Sequence, residues 1–212
     1  MIRVSMQAST SVPACILRID ISEEVIMFFD QYSEELTNTM NAINREDIKK
    51  LESLLNEARV NGKHVFILGN GGSAAAASHW VCDFGKGINV NDSKRMKIFA
   101  PSDHTSIFTA YGNDNAYDET LTEQIKNFLE PGDLVISLSV SGSSGNLVDA
   151  HRYAREAGAT TVCIVGDYNG KLIGMSDFPI VINSKNYGVV EDIHIILEHA
   201  ISQDIKRLIQ SA

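Results

Sequence analysis

The chain has 212 residues, 44% hydrophobic and 21% charged, a composition typical of one globular domain with a sizeable core. Its formal net charge of −9 and pI near 5.1 disfavour a nucleic-acid-binding surface, so a bound anion would be held by backbone N–H groups and hydroxyls. Three cysteines without C-x-x-C spacing are typical of the reducing cytoplasm, and no apolar run reaches the ~18 residues of a membrane span.

The first part of the chain is predicted to form a lead-in and two helices. Residues 1–20 are expected to be a lead-in that is poorly ordered from Met1 to Val12. The first dozen residues also lack the apolar core of a signal peptide. The apolar pattern predicts one helix over 22–43 and a second from Arg45 to Val60, which Asn61-Gly62 ends. One face of this helix pair is expected to pack against another helix or another subunit.

A strand, a glycine turn and a helix follow. His64 to Leu68 is short and apolar, as in a buried strand, and Gly69-Asn70-Gly71-Gly72-Ser73 leads into an alanine-rich helix. This order presents free backbone N–H groups and the positive end of a helix, where an anion can bind. His79 and Asp83 lie one turn apart further along the same helix, so an anion site and a titratable pair share one element.

Other interpretations of the glycine turn have less support. Gly69-x-Gly71-x-x-Ala74 fits the dinucleotide-binding fingerprint, but no acidic residue ends the second strand about 20 residues later. A Walker A loop is excluded, because no Lys-Ser/Thr pair follows the glycines. A single loop of this kind is usually a tight turn that binds no ligand. A second polar loop later in the chain makes this interpretation less favoured.

The rest of the chain alternates strands with helices, which predicts an α/β domain with a mainly parallel sheet. The predicted strands are 96–100, 134–138, 160–165 and 178–182, and the predicted helices are 105–111, 117–129, 147–157 and 189–208.

The second polar loop, Ser139-Val140-Ser141-Gly142-Ser143-Ser144-Gly145-Asn146, follows the strand predicted at 134–138. Ser144 is placed to cap the next helix, but the loop holds more serines than capping requires. In a parallel sheet such loops gather at the carboxyl ends of the strands, where ligands bind. Two hydroxyl-rich loops there predict one phosphorylated ligand held from both sides.

Several of the six histidines have ordinary structural interpretations. His64, His104 and His151 are expected to be surface or hydrogen-bonded residues without a ligand role. His194 and Glu198, four residues apart, are expected to form a solvated pair.

Two other pairs stand out, each on one predicted helix: His79 with Asp83, and Glu191 with His199. The latter two side chains point within about 80° of each other at ~100° per residue. Two imidazoles and two carboxylates could bind zinc or another divalent metal, and the alternative is two separate hydrogen-bonded pairs.

Taken together, four motifs resemble in order and spacing the signature of the phosphoheptose isomerases, of the sugar isomerase (SIS) domain superfamily. They are Gly69-Asn70-Gly71-Gly72-Ser73-Ala74-Ala75 with His79, Gly112-Asn113-Asp114, Ser139-x-Ser141-Gly142-x-Ser144, and Glu191-Asp192-Ile193-His194-x4-His199. The resemblance covers nearly the whole chain. It implies a single three-layer SIS domain, with residues 21–62 as an N-terminal helix pair and 63–212 as the α/β core.

The family's function is what the resemblance implies for this chain. Family members are homotetramers with active sites between subunits. They interconvert sedoheptulose 7-phosphate and an aldoheptose 7-phosphate, here D-glycero-D-manno-heptose 7-phosphate, for the heptose units of bacterial surface glycans. The reaction passes through an enediol and needs a base and an acid, which a carboxylate and an imidazole can supply near neutral pH.

The resemblance also implies roles for individual residues. The residues placed to hold the phosphate are Ser73, Ser139, Ser141 and Ser144. Those placed to line the rest of the substrate site are Asn70, Gly71, Gly72, Asn113, Asp114, Val140 and Glu191. The acid/base pair is Asp83 and His199, and the positions that bind zinc in some members are His79, Asp83, Glu191 and His199.

This sequence departs from the family pattern at several of these positions. The catalytic carboxylate is usually Glu and here is Asp83, Glu191 stands for the usual Gln, and Val140 replaces a Thr. Tyr187-Gly188-Val189-Val190 stands where a polar run is usual. Two other functions therefore stay open: a catalytically silent sugar-phosphate sensor or partner-binding protein, like the related replication-initiator-associating proteins, and an isomerase for a different sugar phosphate.

Overall fold

The structure, a computed structural model, describes residues 21–211, and the lead-in expected over 1–20 lies outside the described residues. Helix α1 spans Ile21–Ala42 and helix α2 spans Arg45–Asn61. The side chain of Asn44 caps α2 by accepting a hydrogen bond from the N–H of Glu46, and Gly62 ends the helix with a φ of 69°. Both helices lie within a residue of where the apolar pattern and the Asn-Gly stop signal predict them.

A five-stranded, fully parallel sheet forms the centre of the molecule, with the strand order β2-β1-β3-β4-β5. The strands are β1 (His64–Leu68), β2 (Lys97–Phe99), β3 (Leu134–Ser139), β4 (Thr160–Gly166) and β5 (Phe178–Ile182). Every residue of β3 is buried, as is typical of a strand covered by helices on both faces of a parallel sheet.

Helices cover both faces of the sheet. They are α3 (Gly71–Cys82), α4 (Thr105–Asp114), α5 (Thr122–Ile125), α6 (Gly145–Glu156), α7 (Lys171–Met175) and α8 (Tyr187–Ser211). One core cluster joins the sheet to α2, α3 and α8 through side chains such as Leu51, Trp80 and Ile193. A second cluster joins the opposite face to α5, α6 and α7 through Leu147 and Leu172. The predicted three-layer α/β fold is confirmed.

One predicted helix, over residues 117–129, is wrong. The segment forms a 3₁₀ turn, Tyr117–Glu119, followed by the four-residue helix α5 and a turn. The Thr120 hydroxyl donates to the carbonyl of Tyr117 at 2.7 Å, and the Gln124 amide donates to the carbonyl of Thr120 at 2.6 Å. Side chains thus take up backbone acceptors that a continuous helix would use, although the apolar spacing is helical.

Neither described cysteine forms a disulfide, and Cys15 lies outside the described residues. Cys82 is exposed on α3, whereas Cys163 is buried in β4, where burial raises the pKa of its thiol to about 11. Cys163 therefore acts as a small apolar packing residue. Between residues 21 and 211, every helix is too short or too polar to cross a bilayer.

Candidate active site

The two polar loops lie side by side at the carboxyl edge of the sheet. Strands β1 and β3 are parallel neighbours, with Leu68 opposite Ser137, so the loops that follow them emerge together. A cleft of about 120 Å³ lies between these loops and the start of α8. Its lining residues are Asn70, Ser73, Leu138, Ser139, Val140, Ser141, Ser144, Leu147, Tyr187 and Glu191. Lys and Arg do not occur in this lining.

Two serine hydroxyls of the second loop accept hydrogen bonds from the backbone of the same loop. The Oγ of Ser139 accepts a hydrogen bond from the N–H of Gly142 at 3.0 Å, and the Oγ of Ser141 accepts one from the N–H of Ser143 at 3.4 Å. Each oxygen is therefore used as an acceptor, which leaves the hydroxyl hydrogen to donate. Ser144 occupies the N-cap position of α6, but its side chain makes no capping hydrogen bond. The N-cap position predicted for Ser144 is confirmed, but its hydroxyl does not cap the helix.

A pair of amides ties the two loops together. Asn70 Nδ2 donates to Asn146 Oδ1 at 2.8 Å, and Asn146 Nδ2 donates back to Asn70 Oδ1 at 2.9 Å. The hydroxyl of Tyr117 donates to the same Asn70 oxygen at 3.0 Å. Asn146 is fully buried, so the reciprocal pair fixes the relative position of the loops. Local sequence patterns do not predict a role for Asn146, since its partner Asn70 is 76 residues away along the chain.

The carboxylate of Glu191 lies against the first turn of α3. A Cβ added to Gly72 would clash with the carboxylate oxygens of Glu191, so glycine at this position leaves room for the side chain as it lies here. Gly71, just before, has a φ of 54°, which also favours glycine. Glu191 thereby becomes part of the cleft wall.

Two turns further along, α3 and α8 bring together a cluster of titratable side chains. Glu191 faces Gly72 and His199 faces His79, so the two helices run side by side in the same direction. The Nε2 atoms of His79 and His199 are 2.9 Å apart, with their ring planes at 83°. Together with Asp83 and Glu198, the two histidines offer ligand atoms that all lie within 4.8 Å of one another.

Glu198 is the buried member of this cluster. Its side chain is fully buried, and neither carboxylate oxygen has a hydrogen-bond partner among the described residues. Burial, and then the negative charge of Asp83, raise the pKa of Glu198 to about 8. A buried carboxylate without a partner is costly, which is typical of a group that serves a cation or a proton.

The cluster differs in one residue from the predicted metal set. It contains Glu198, whereas Glu191 lies at Gly72 near the start of α3. The solvated pair expected for His194 and Glu198 is wrong, because both residues are fully buried. His194 Nε2 lies 3.1 Å from the carbonyl oxygen of Ile164 in β4, and burial lowers the pKa of this imidazole to about 4.

The structure does not bring Asn113 and Asp114 to the cleft. Both are exposed at the end of α4, where the Asn113 amide donates to the Asp114 carboxylate at 2.8 Å, and neither lines the cleft. His64 bonds to Asp133 and His151 is buried, so both are hydrogen-bonded structural histidines, while His104 is exposed. His64, His104 and His151 are thus surface or hydrogen-bonded residues, as expected from the sequence.

Comparison with known proteins defines the class to which this chain belongs. A sequence model of the SIS domain family matches residues 28–166. A phosphoheptose isomerase from Aliarcobacter butzleri is 31% identical over 181 residues, which are 85% of this chain and 95% of that protein. One from Clostridium acetobutylicum is 32% identical over 162 residues, which are 76% of this chain and 82% of that protein.

A solved structure shows the same fold. A phosphoheptose isomerase from Neisseria gonorrhoeae superposes with a TM-score of 0.79 at 24% identity, over 88% of this chain and 99% of that one. The chain belongs to the phosphoheptose isomerase family of SIS domain proteins.

Proposed function

We propose that this protein is an aldose–ketose isomerase that converts sedoheptulose 7-phosphate into D-glycero-D-manno-heptose 7-phosphate in the cytoplasm, for the heptose units of bacterial surface glycans. The supporting observation is the placement of two sites along one pair of helices. Helices α3 and α8 begin at the serine-lined cleft and carry the titratable cluster two turns further on. His79 follows Ser73 by six residues, ~9 Å along the helix axis, comparable with an extended seven-carbon sugar phosphate.

The cleft suits the phosphate end of the substrate. Hydroxyls of Ser73, Ser139, Ser141 and Ser144 surround it, and the N-termini of α3 and α6 point their free N–H groups and positive dipole ends toward it. These donors replace the basic side chains that the lining lacks. Asn70, with Gly71 and Gly72, then lies between the phosphate and the reacting carbons.

The cluster suits the proton transfers of isomerisation. We assign the acid/base pair to Asp83 and His199. These residues transfer one proton between C1 and C2 and another between the oxygens on these carbons, with an enediol as the intermediate. At 2.9 Å, the facing Nε2 atoms of His79 and His199 share one proton, so one imidazole donates and the other accepts. His79 thereby sets which tautomer His199 presents to the substrate.

The same cluster fits a divalent metal, with zinc as the proposed ion. Imidazole nitrogens and carboxylate oxygens are ligands that zinc prefers, and the partnerless carboxylate of Glu198 is the observation that favours a cation. His79, Asp83 and His199 would hold the ion with a further carboxylate. When bound, it would polarise the sugar carbonyl as a Lewis acid.

We also propose a homotetramer with active sites between subunits. Four consecutive apolar residues of α1, from Ile26 to Phe29, are between 57% and 66% exposed, so residues 21–211 of one chain leave this apolar helix surface uncovered. Asn113 and Asp114, exposed and away from the cleft of their own chain, are then free to face a neighbouring subunit. Light scattering should give four times the chain mass of 23.2 kDa.

The isomerase proposal is tested by incubating the protein with sedoheptulose 7-phosphate in D₂O. Formation of aldose and deuterium uptake at C2 are expected, and a panel of C5 to C7 sugar phosphates defines the substrate. Asp83→Asn should lower turnover by ~10²–10⁴ while phosphate affinity changes little. Ser144→Ala should instead weaken sugar-phosphate binding.

The silent-sensor alternative has its own outcome in this assay. If the wild type binds sugar phosphates but exchanges no C2 proton with any of them, the isomerase proposal fails. Unchanged affinity in Ser144→Ala would remove the serine loop from the phosphate site.

A further inference from the structure

Three ligand atoms of the cluster form a nearly regular triangle. The Nε2 atoms of His79 and His199 are 2.9 Å apart. The Oε2 atom of Glu198 lies 3.6 Å from the first and 3.5 Å from the second. One carboxylate oxygen therefore stands almost equally far from both imidazole nitrogens.

This triangle has the dimensions of one face of a zinc tetrahedron. Ligand atoms ~2.0–2.2 Å from a tetrahedral ion lie about 3.3–3.5 Å from one another. A circle through the three observed atoms has a radius of about 1.9 Å, so a point at bonding distance from all three lies just outside their plane. Asp83, whose ligand atom lies within 4.8 Å of the other three, is near enough to supply a fourth ligand.

The surroundings of Glu198 favour a ligand role over a purely structural one. The side chain is fully buried at the junction of α3 and α8, and neither oxygen has a hydrogen-bond partner among residues 21–211. A buried, partnerless carboxylate is destabilising unless a cation or donor compensates it. Without an ion, one proton lies between the two Nε2 atoms, whereas a bound cation would take a lone pair from both imidazoles.

The other candidate carboxylate is engaged elsewhere. Glu191 lies against Gly72 in the wall of the cleft, two helical turns of α8 before His199. It is absent from the group whose ligand atoms lie within 4.8 Å of one another.

We propose that Glu198, and not Glu191, is the fourth protein ligand of a divalent metal held by His79, Asp83 and His199. This inference rests on the metal site of the proposed function and assigns its ligands. Two carboxylates and two neutral imidazoles balance the charge of a divalent ion. Glu191 is thereby left to the substrate cleft, where its charge faces the sugar phosphate.

The test compares two matched variants of the full chain, Glu198→Gln and Glu191→Gln, each of which removes one carboxylate charge and keeps the side-chain length. Protein freed of metal by a chelator is titrated with Zn²⁺ against a chromophoric competitor, without substrate. Glu198→Gln should lower zinc affinity by at least ~10²-fold, since even outer-shell partners are worth about 10–100-fold. Glu191→Gln should stay within about threefold of wild type, because its side chain touches no ligand atom.

Co²⁺ provides a second measurement that does not depend on the stability of the Glu198 variant. Wild type and Glu191→Gln should both show the intense visible bands of a four-coordinate site at one equivalent. Loss of zinc affinity in Glu191→Gln with retention in Glu198→Gln would overturn the assignment, as would less than a tenth of an equivalent bound by wild type. Deuterium exchange at C2 is measured separately on wild type, both metal-free and supplied with Zn²⁺; exchange in either form supports the isomerase proposal, and exchange in neither contradicts it, whichever carboxylate binds the metal.

Discussion

His151 offers a test of how burial of an imidazole limits the acid stability of this protein. It is fully buried on α6, with Nδ1 3.1 Å from the hydroxyl of Ser137 and Nε2 2.8 Å from that of Ser176. Ser176 uses its own hydrogen to bond the carbonyl of Leu172, so it accepts from Nε2–H. Nδ1 is then the acceptor, and Ser137 donates to it. Both serines are satisfied by the neutral ring.

Protonation of this ring is unfavourable in the folded state. Burial, with a smaller contribution from the charge of Arg155, lowers the pKa of His151 from 6.5 to about 4. Because the folded-state pKa lies below the unfolded value, the stability it contributes is present above about pH 6.5 and is lost as the pH falls toward 4. Between about pH 7 and 5 the loss from this one residue is about 2 kcal/mol.

The assay is urea unfolding of wild type and His151→Gln at both pH values. Glu198, whose pKa is raised to about 8, acts in the opposite direction over this range, so only the difference between the two proteins is informative. The variant should lose about 2 kcal/mol less than wild type on acidification. Ser176→Ala, which keeps the imidazole, should lose as much as wild type. An equal pH dependence in wild type and His151→Gln would refute the reasoning.

Three further changes test contacts near the site and beneath it. Asp133→Asn should lower the free energy of unfolding by about 1–3 kcal/mol, because the buried carboxylate accepts from the backbone N–H of His64 and one other N–H; an unchanged urea midpoint would contradict this. Gly72→Ala should push Glu191 toward the phosphate, where like-charge repulsion of about 1 kcal/mol weakens sugar-phosphate binding by about fivefold. Calorimetry measures this affinity. Adding Glu191→Ala should restore the affinity, and failure to do so would argue against the repulsion. Trp80→Phe should cost about 1–2 kcal/mol in thermal or urea unfolding, because the indole N–H donates to a buried carbonyl of α8; a variant as stable as wild type would exclude that contribution.

Much of the fold follows from local patterns in the sequence. The apolar run at 64–68 is too short for a helix and forms β1, and Asn61-Gly62 ends α2 because glycine adopts positive φ without strain. The segment 117–129 shows the limit of this approach, since the hydroxyl of Thr120 and the amide of Gln124 compete for backbone carbonyls. Apolar spacing carries no information about such competition.

The sequence predicts which strands, loops and helices form the candidate site, but it predicts less well which of their side chains take part. Parallel strands place the two serine loops together, so the cleft could be expected from the strand pattern alone. The choice between Glu191 and Glu198 could not be made this way. Their angular positions on α8 relative to His199 are similar, and periodicity ignores the ~12 Å of axial rise that separates Glu191 from His199. Only the packing of α8 on α3 shows which carboxylate faces the cluster.

The indole of Trp80 has a consequence for how the cluster responds to ligands. Trp80 follows His79 directly and is fully buried, and its N–H donates to the carbonyl of His194, whose own ring contacts β4. The two helices that carry the cluster are thereby joined to each other and to the sheet. Little conformational entropy remains to be lost when an ion or a sugar binds there, so the site is preorganised and binding should leave backbone order parameters of α3 and α8 unchanged.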